Sequence, residues 1–205
     1  MTFNAIGWQA GAMSLLGGYL LGSIPFGFIF TWLAGAGDVR SIGSGATGAT
    51  NVLRTGRYGA AIATLIFDAG KGAAAVLIAR HLWGDSAASI AVFGALLGHL
   101  FPVWLGFKGG KGVATSLGIL LTLCWPVALL SLATWFVVAA ITRISSLSAL
   151  AAAVAAPLYM FLFGPKVFVI VTAIIAVLVL VMHRENIRRL IAGTEPRIGA
   201  KTPAA

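Results

Sequence analysis

Charge is scarce in this chain. Only 9% of its 205 residues are Asp, Glu, Lys or Arg, against about a quarter in soluble domains, and its mean hydropathy is +1.00. Repeated long apolar runs mark it as an integral membrane protein. Acids are scarcest: Asp38, Asp68, Asp85, Glu185 and Glu195 are the only five, and His81, His99 and His183 the only histidines. They form no carboxylate cluster and no His-x-x-x-His spacing. This excludes a metal-dependent phosphatidyl transfer, which needs acids around its metal, and weighs against proton-coupled transport. No metal ligands are expected. One cysteine, Cys124, excludes an intramolecular disulfide. No basic residue precedes Arg40, so no cleaved signal peptide is expected. G-x-S-x-G is absent. His81 and Asp85 fall one residue short of the His-x-x-x-x-Asp pair of many lipid acyltransferases. No general base or protein nucleophile is therefore evident.

What charge there is carries sign. The formal net charge is +9, but no basic stripe interleaved with aromatics is present, so no nucleic-acid partner is expected. The cations instead flank apolar segments near 12–34, 58–80, 87–106, 113–142, 147–163 and 167–183. The fourth segment, as one helix, would measure about 45 Å against a hydrocarbon core of about 30 Å, and Pro126 lies inside it. Splitting it gives seven spans. One face then holds Arg40, Arg54, Arg57, Lys71, Lys108, Lys111, Arg143, Arg184, Arg188, Arg189, Arg197 and Lys201, the other Arg80 and Lys166, a division of 12 to 2. Leaving it whole gives six spans and 7 to 7. The positive-inside rule selects seven. The expectation is an all-α polytopic protein of about seven transmembrane helices, some short, with the N-terminus outside and the C-terminus cytoplasmic. With no long polar linker, residues 1–205 read as a single domain.

That topology gathers the polar stretches on the cytoplasmic face. GSGATGATN, residues 43–51, holds no bulky apolar side chain. Its backbone N–H groups can line an anion nest, because Gly43, Gly45 and Gly48 permit positive φ and close approach. Ser44, Thr47 and Thr50 add hydroxyls, and Arg54 offers a planar fork for phosphate oxygens. A flexible inter-span turn is the plainer alternative. GFKGGKGVAT, residues 106–115, sets Lys108 and Lys111 among glycines including Gly109 and Gly110, just before an apolar segment. An anion there can meet backbone donors, a lysine and a helix N-terminus together. It is not a nucleotide P-loop, since Leu105 and Gly112 stand where glycine and Ser/Thr are required. A tight turn with interfacial lysines accounts for Lys108 better than for Lys111.

Asp68 and Lys71, at i,i+3 spacing within a span, read as a structural ion pair supporting a loop. His183 and Asn186 are three apart on a helix leaving the last span and face the same way. Both can hydrogen-bond a hydroxyl or phosphate. Glu185 and Arg189 stand at i,i+4 pairing distance. His99 reads as a helix-packing histidine.

Together, GSIPFG (22–27), DVRSIGSGATGATNVLRTG (38–56), DAGKG (68–72), GHLFPVWLGFKGGKGVAT (98–115) and HRENIRRLIAGTE (183–195) resemble the bacterial acyl-phosphate:glycerol-3-phosphate acyltransferase family. Ala46 departs from it, standing where the family generally carries asparagine. The resemblance implies an enzyme of the bacterial inner membrane, active site toward the cytoplasm. It would move a fatty acyl group from acyl phosphate to the 1-hydroxyl of glycerol 3-phosphate, releasing lysophosphatidic acid and phosphate, with no cofactor, metal or nucleotide. On that reading acyl phosphate falls to 43–51, including Ser44 and Asn51, and glycerol 3-phosphate to Lys111 and Arg54, with Ser146 as a further candidate. His183 and Asn186 orient the attacking hydroxyl, and the acyl chain lies among the spans with membrane lipid. The rival is a small transporter of phosphorylated metabolites, which would need substrate access from both faces.

Overall fold

The computed structural model describes residues 6–199; Lys201, counted in the charge division above, lies outside them. Ten α-helices occur among the described residues. They are α1 (Trp8–Gly22), α2 (Phe26–Leu33), α3 (Ala49–Leu53), α4 (Tyr58–Trp83), α5 (Asp85–Leu100), α6 (Val113–Leu123), α7 (Trp125–Thr142), α8 (Ser145–Phe163), α9 (Val169–Met182) and α10 (Arg184–Ile191). No strand is present among them. The chain divides into two compact units, one ending at Leu123 and one beginning at Cys124.

In the first unit α1 packs on α5, and α4 packs on α1, α2, α3, α5 and α6. Small residues set the closest crossing. Gly18 and Gly22 on α1 face Ala91 and Ala95, while Gly94 and Gly98 on α5 face Leu15 and Tyr19. A Cβ at any of the four would run into the opposite backbone. In lipid no hydrophobic force draws helices together, so close backbone packing of this kind has to. In the second unit α8 packs on α7 and α9. Some buried hydroxyls bond to a carbonyl one turn back: Thr64 donates to the Ala60 carbonyl at 2.7 Å, and Ser148 to that of Ile144 at 2.8 Å. Leu16, Ile66, Phe136, Ile141 and Ile170 are exposed, as lipid-facing positions should be.

The apolar segments become helices within a few residues of their expected ends. Spans long and apolar enough to cross a membrane are Trp8–Leu33, broken between α1 and α2, then Tyr58–Trp83, Asp85–Leu105, Trp125–Thr142 and Ser145–Phe163. Lys166–Met182 with α10 forms a further pair, bent by 63°. The expected split of 113–142 occurs at Cys124, which is extended, with Pro126 in the first turn of α7 where its missing N–H costs nothing. α6, at 11 residues, is only about 16 Å long and too short by itself for a 30 Å core. Its end is met from α4, where Arg80 Nη1 donates to the Thr122 carbonyl at 2.6 Å and Nε lies 2.9 Å from Asp85. A helix C-terminus leaves carbonyls without intrahelical partners, and Arg80 serves one of them.

Lys71 is not an interfacial cation. It is buried near the middle of α4, 2.7 Å from Asp68. Removing it from the division leaves 11 to 2, and the asymmetry survives.

Candidate active site

Among the described residues, each unit carries a polar cluster that includes candidate site residues. In the first, the loop between α2 and α3 is built around Asn51. This residue is buried, and its amide nitrogen stands 2.9 Å from the carbonyls of Val39, Ile42 and Ala46. Its Oδ1 accepts from the Ser44 N–H and from Arg54 Nη1, each at 3.2 Å. Asn51 therefore shapes the loop and aims Arg54. Gly43 has φ +56, and a Cβ there would overlap both Arg54 Nη1 and Asn51 Oδ1, so only glycine lets the guanidinium lie along the turn. Gly45 is also left-handed, at φ +69. Ser44 and Thr50 are exposed, Arg54 and Gly48 half-buried, Thr47 and Ala46 buried.

The second glycine loop lies directly against the first. The Thr47 N–H donates to the Gly109 carbonyl at 3.4 Å. Arg40, held by both oxygens of Asp38, sends Nη1 to the Leu105 carbonyl at 3.2 Å. The Arg40 hydrogen bond, against a smaller effect of burial, holds the Asp38 carboxyl below the usual carboxylate range. Residues 43–54 and 106–112 thus form one rim of the first unit. On it Lys111 is half-buried, and Lys108 is exposed.

The second unit's cluster centres on a residue that the sequence analysis gave no role. Glu195 follows α10 and is buried. Its Oε1 accepts from Ser146 Oγ at 2.7 Å and from Asn186 Nδ2 at 2.6 Å; its Oε2 accepts from Arg189 Nε at 2.7 Å. Burial pushes its carboxyl up, but these hydrogen bonds outweigh it and leave the carboxyl below its ordinary value. Arg189 therefore does not pair with Glu185 at i,i+4. Glu185 instead takes Arg188 at 2.9 Å. The segment after Glu195 is anchored in turn, the Ile198 N–H donating to the Arg143 carbonyl at 2.6 Å. His183 sits at the bend between α9 and α10. Its Nδ1 lies 2.8 Å from the Val179 carbonyl; a carbonyl only accepts, so Nδ1 carries a proton. Asn186 and Arg189 lie 9 and 6 residues from Glu195, beyond the i,i+4 reach of a helix face, and Ser146 lies 49 away.

A family model described as Glycerol-3-phosphate acyltransferase matches residues 12–193. Proteins named Glycerol-3-phosphate acyltransferase resemble the chain closely. The one from Cereibacter sphaeroides (strain ATCC 17025 / ATH 2.4.3) is 59% identical over 90% of this chain and 88% of its own. That from Caulobacter vibrioides (strain NA1000 / CB15N) is 56% identical over 98% and 93%. The structure is similar to crystal structures of PlsY (YgiH), an integral membrane glycerol 3-phosphate acyltransferase. Its glycerol 3-phosphate form gives a TM-score of 0.87 at 37% identity, covering 93% of this chain and 96% of that one. Its lysophosphatidic acid form gives 0.85 at 36%, with the same coverage.

Proposed function

This chain belongs to the glycerol-3-phosphate acyltransferase family, and on that premise we propose that it draws its acyl group from acyl phosphate and places it on the 1-hydroxyl of glycerol 3-phosphate. It is an acyltransferase of phospholipid synthesis, a multi-pass membrane protein. The observation that supports this reading is the Thr47–Gly109 hydrogen bond, which joins two glycine-rich basic loops into one rim. Both substrates carry phosphate, and a rim of backbone donors with Arg54 and Lys111 suits two of them.

The glycerol oxygen attacks the acyl carbon, the bond from that carbon to the phosphate oxygen breaks, and phosphate departs with the hydroxyl proton. Acyl phosphate is already activated, so positioning and charge stabilisation suffice without a protein nucleophile. Gly43, Ser44, Gly45, Thr47, Gly48 and Thr50, in the frame Asn51 holds, receive the acyl phosphate. Arg54, Lys108, Gly109, Gly110, Lys111 and Ser146 serve glycerol 3-phosphate. His183 and Asn186 orient the hydroxyl, and Lys111 and Ser44 steady charge on the phosphates. Residues 1–205 act as one domain with seven crossings in the bacterial inner membrane, N-terminus outside and this site toward the cytoplasm, a reading that rests on the cation asymmetry.

The test is acyl transfer by purified protein to labelled glycerol 3-phosphate, with palmitoyl phosphate and palmitoyl-CoA offered separately and no metal added. Labelled lysophosphatidic acid from palmitoyl phosphate alone is the expected result. Product from palmitoyl-CoA alone overturns the donor assignment.

A further inference from the structure

The glycine loop 106–112 rests on a buried polar device that the site described above does not use. His99, near the end of α5, is 4% exposed. Its carbonyl accepts from the Gly110 N–H at 3.0 Å, and the neighbouring Leu100 carbonyl accepts from the Gly109 N–H at 3.2 Å. The imidazole itself lies flush against Gly110, where an added Cβ would overlap Nε2 and Cε1. On its other side Nδ1 is 3.6 Å from Asp68 Oδ1, the oxygen that Lys71 Nζ meets at 2.7 Å. Lys71 Nζ also donates to the Ile24 carbonyl at 2.8 Å, in the break between α1 and α2.

We infer that His99 is a positioning residue for acyl transfer. Its ring, seated on the buried Asp68–Lys71 pair, fixes the path of the Gly109–Gly110 backbone and so the direction of the donors and of Lys111 that this loop turns toward phosphate. Two observations meet in this assignment, the contact of the ring with Gly110 and the hydrogen bond from Thr47 to the Gly109 carbonyl. A histidine that only filled space between helices would have no reason to sit against a loop glycine. A buried ion pair is costly unless its geometry is close and its remaining donors are satisfied, and Lys71 meets both conditions through Asp68 and the Ile24 carbonyl. Gly110 is the residue the ring contacts, and any side chain there would displace either the ring or the loop. The Gly109 carbonyl passes the restraint on to Thr47 and the first glycine loop. His99 touches no reacting atom; it acts through the loop.

The inference rests on the reading that 106–112 holds phosphate, and the experiment separates the two. His99→Ala, Gly110→Ala, their double variant and Lys111→Ala are assayed in detergent for kcat and for KM toward glycerol 3-phosphate and palmitoyl phosphate. Thermal unfolding of each is measured alongside. His99→Ala is expected to raise KM for one phosphate substrate by about ten-fold or more, with kcat changed by less than about three-fold, because loop misplacement weakens binding before it alters chemistry. Gly110→Ala, which keeps every residue of the ion pair and the histidine but forces the ring and the loop apart, is expected to do the same. In the double variant the two effects do not multiply, since the added methyl then enters the space the ring has left. Unchanged KM in His99→Ala or in Gly110→Ala overturns the inference, as does a loss confined to kcat, or effects that multiply in the double variant. If Lys111→Ala raises KM while His99→Ala does not, only the positioning role falls. If Lys111→Ala leaves both KM values unchanged, the phosphate reading of the loop falls, and the positioning role with it. Should His99→Ala fail to fold, Gly110→Ala alone decides.

Discussion

The Asn186 amide donates to Glu195 Oε1 at 2.6 Å, and that same oxygen takes the Ser146 hydroxyl at 2.7 Å. One carboxylate oxygen thus sets the direction of two candidate substrate-facing side chains from two different helices. The other oxygen anchors Arg189, so Glu195 cannot turn without releasing a charged partner. An orientation held in this way is worth more than a contact, because an amide that must meet a hydroxyl is useful only when its rotamer is settled in advance.

Glu195 gives the protein an acid limb. Its folded carboxyl lies below the ordinary value, so the unfolded chain binds more protons between the two values. The stability it contributes is complete above about pH 4.3, the unfolded value, and is lost as pH falls through the folded one. The difference in thermal unfolding between the parent and Glu195→Gln, measured in detergent, should be flat from pH 7 to 5 and shrink below that. Glu195→Gln should lower the plateau and flatten the limb, with Glu195→Ala costing about 2 kcal/mol at pH 7 through the buried donors left behind. A Gln variant with an unaltered acid limb would remove Glu195 from this role.

Asn186→Ala and Lys111→Ala should each cut acyl transfer by about a hundred-fold, the usual consequence of removing one preorganised donor. The quantity to follow is labelled lysophosphatidic acid formed per minute at saturating substrate. Full activity in both variants would mean that the catalytic groups lie elsewhere.

Gly43→Ala should lower activity by about ten-fold while leaving the melting temperature nearly unchanged. An L-residue at φ +56 pays about 1–2 kcal/mol, and the methyl pushes Arg54 Nη1 off Asn51. The strain falls on an exposed loop, so the loop moves and the helical core does not. Equal KM values for parent and variant would rule out a phosphate role for this turn.

Lys71→Met should destabilise the protein by about 3–5 kcal/mol, because it strands the Asp68 carboxylate in a buried site. Lys71→Met combined with Asp68→Leu should recover much of that loss, since no charge is then left unpaired. Thermal or denaturant unfolding in detergent distinguishes the two variants; a double variant as unstable as the single one would contradict the argument.

Local chemistry was readable from the chain alone wherever the determining residues are neighbours. Hydropathy is a running property, so the spans emerged within a few residues of their ends, and Pro126 announced the break at Cys124. The Asp68–Lys71 pair follows from i,i+3 spacing. The two glycine stretches declare themselves by composition, and Gly43, Gly45, Gly106 and Gly112 in them turn left-handed, as Phe107 does between them. The pairings that build the site are a different matter. In an isolated helix Glu185 and Arg189 would gain a few tenths of a kcal/mol at i,i+4, but a buried carboxylate with three donors outbids a solvated one, and Arg189 goes to Glu195. Arg40 reaches Leu105 across 65 residues, and Lys71 reaches Ile24 across 47. The sequence by itself determined which segments are apolar enough to span a membrane and where glycines free the backbone, because hydropathy and backbone freedom are local properties. Only the tertiary structure decided that Asn51 frames a loop, that Glu195 aims Asn186 and that His99 underlies Gly110, because a buried polar group takes whichever partner the folded chain brings within about 3 Å.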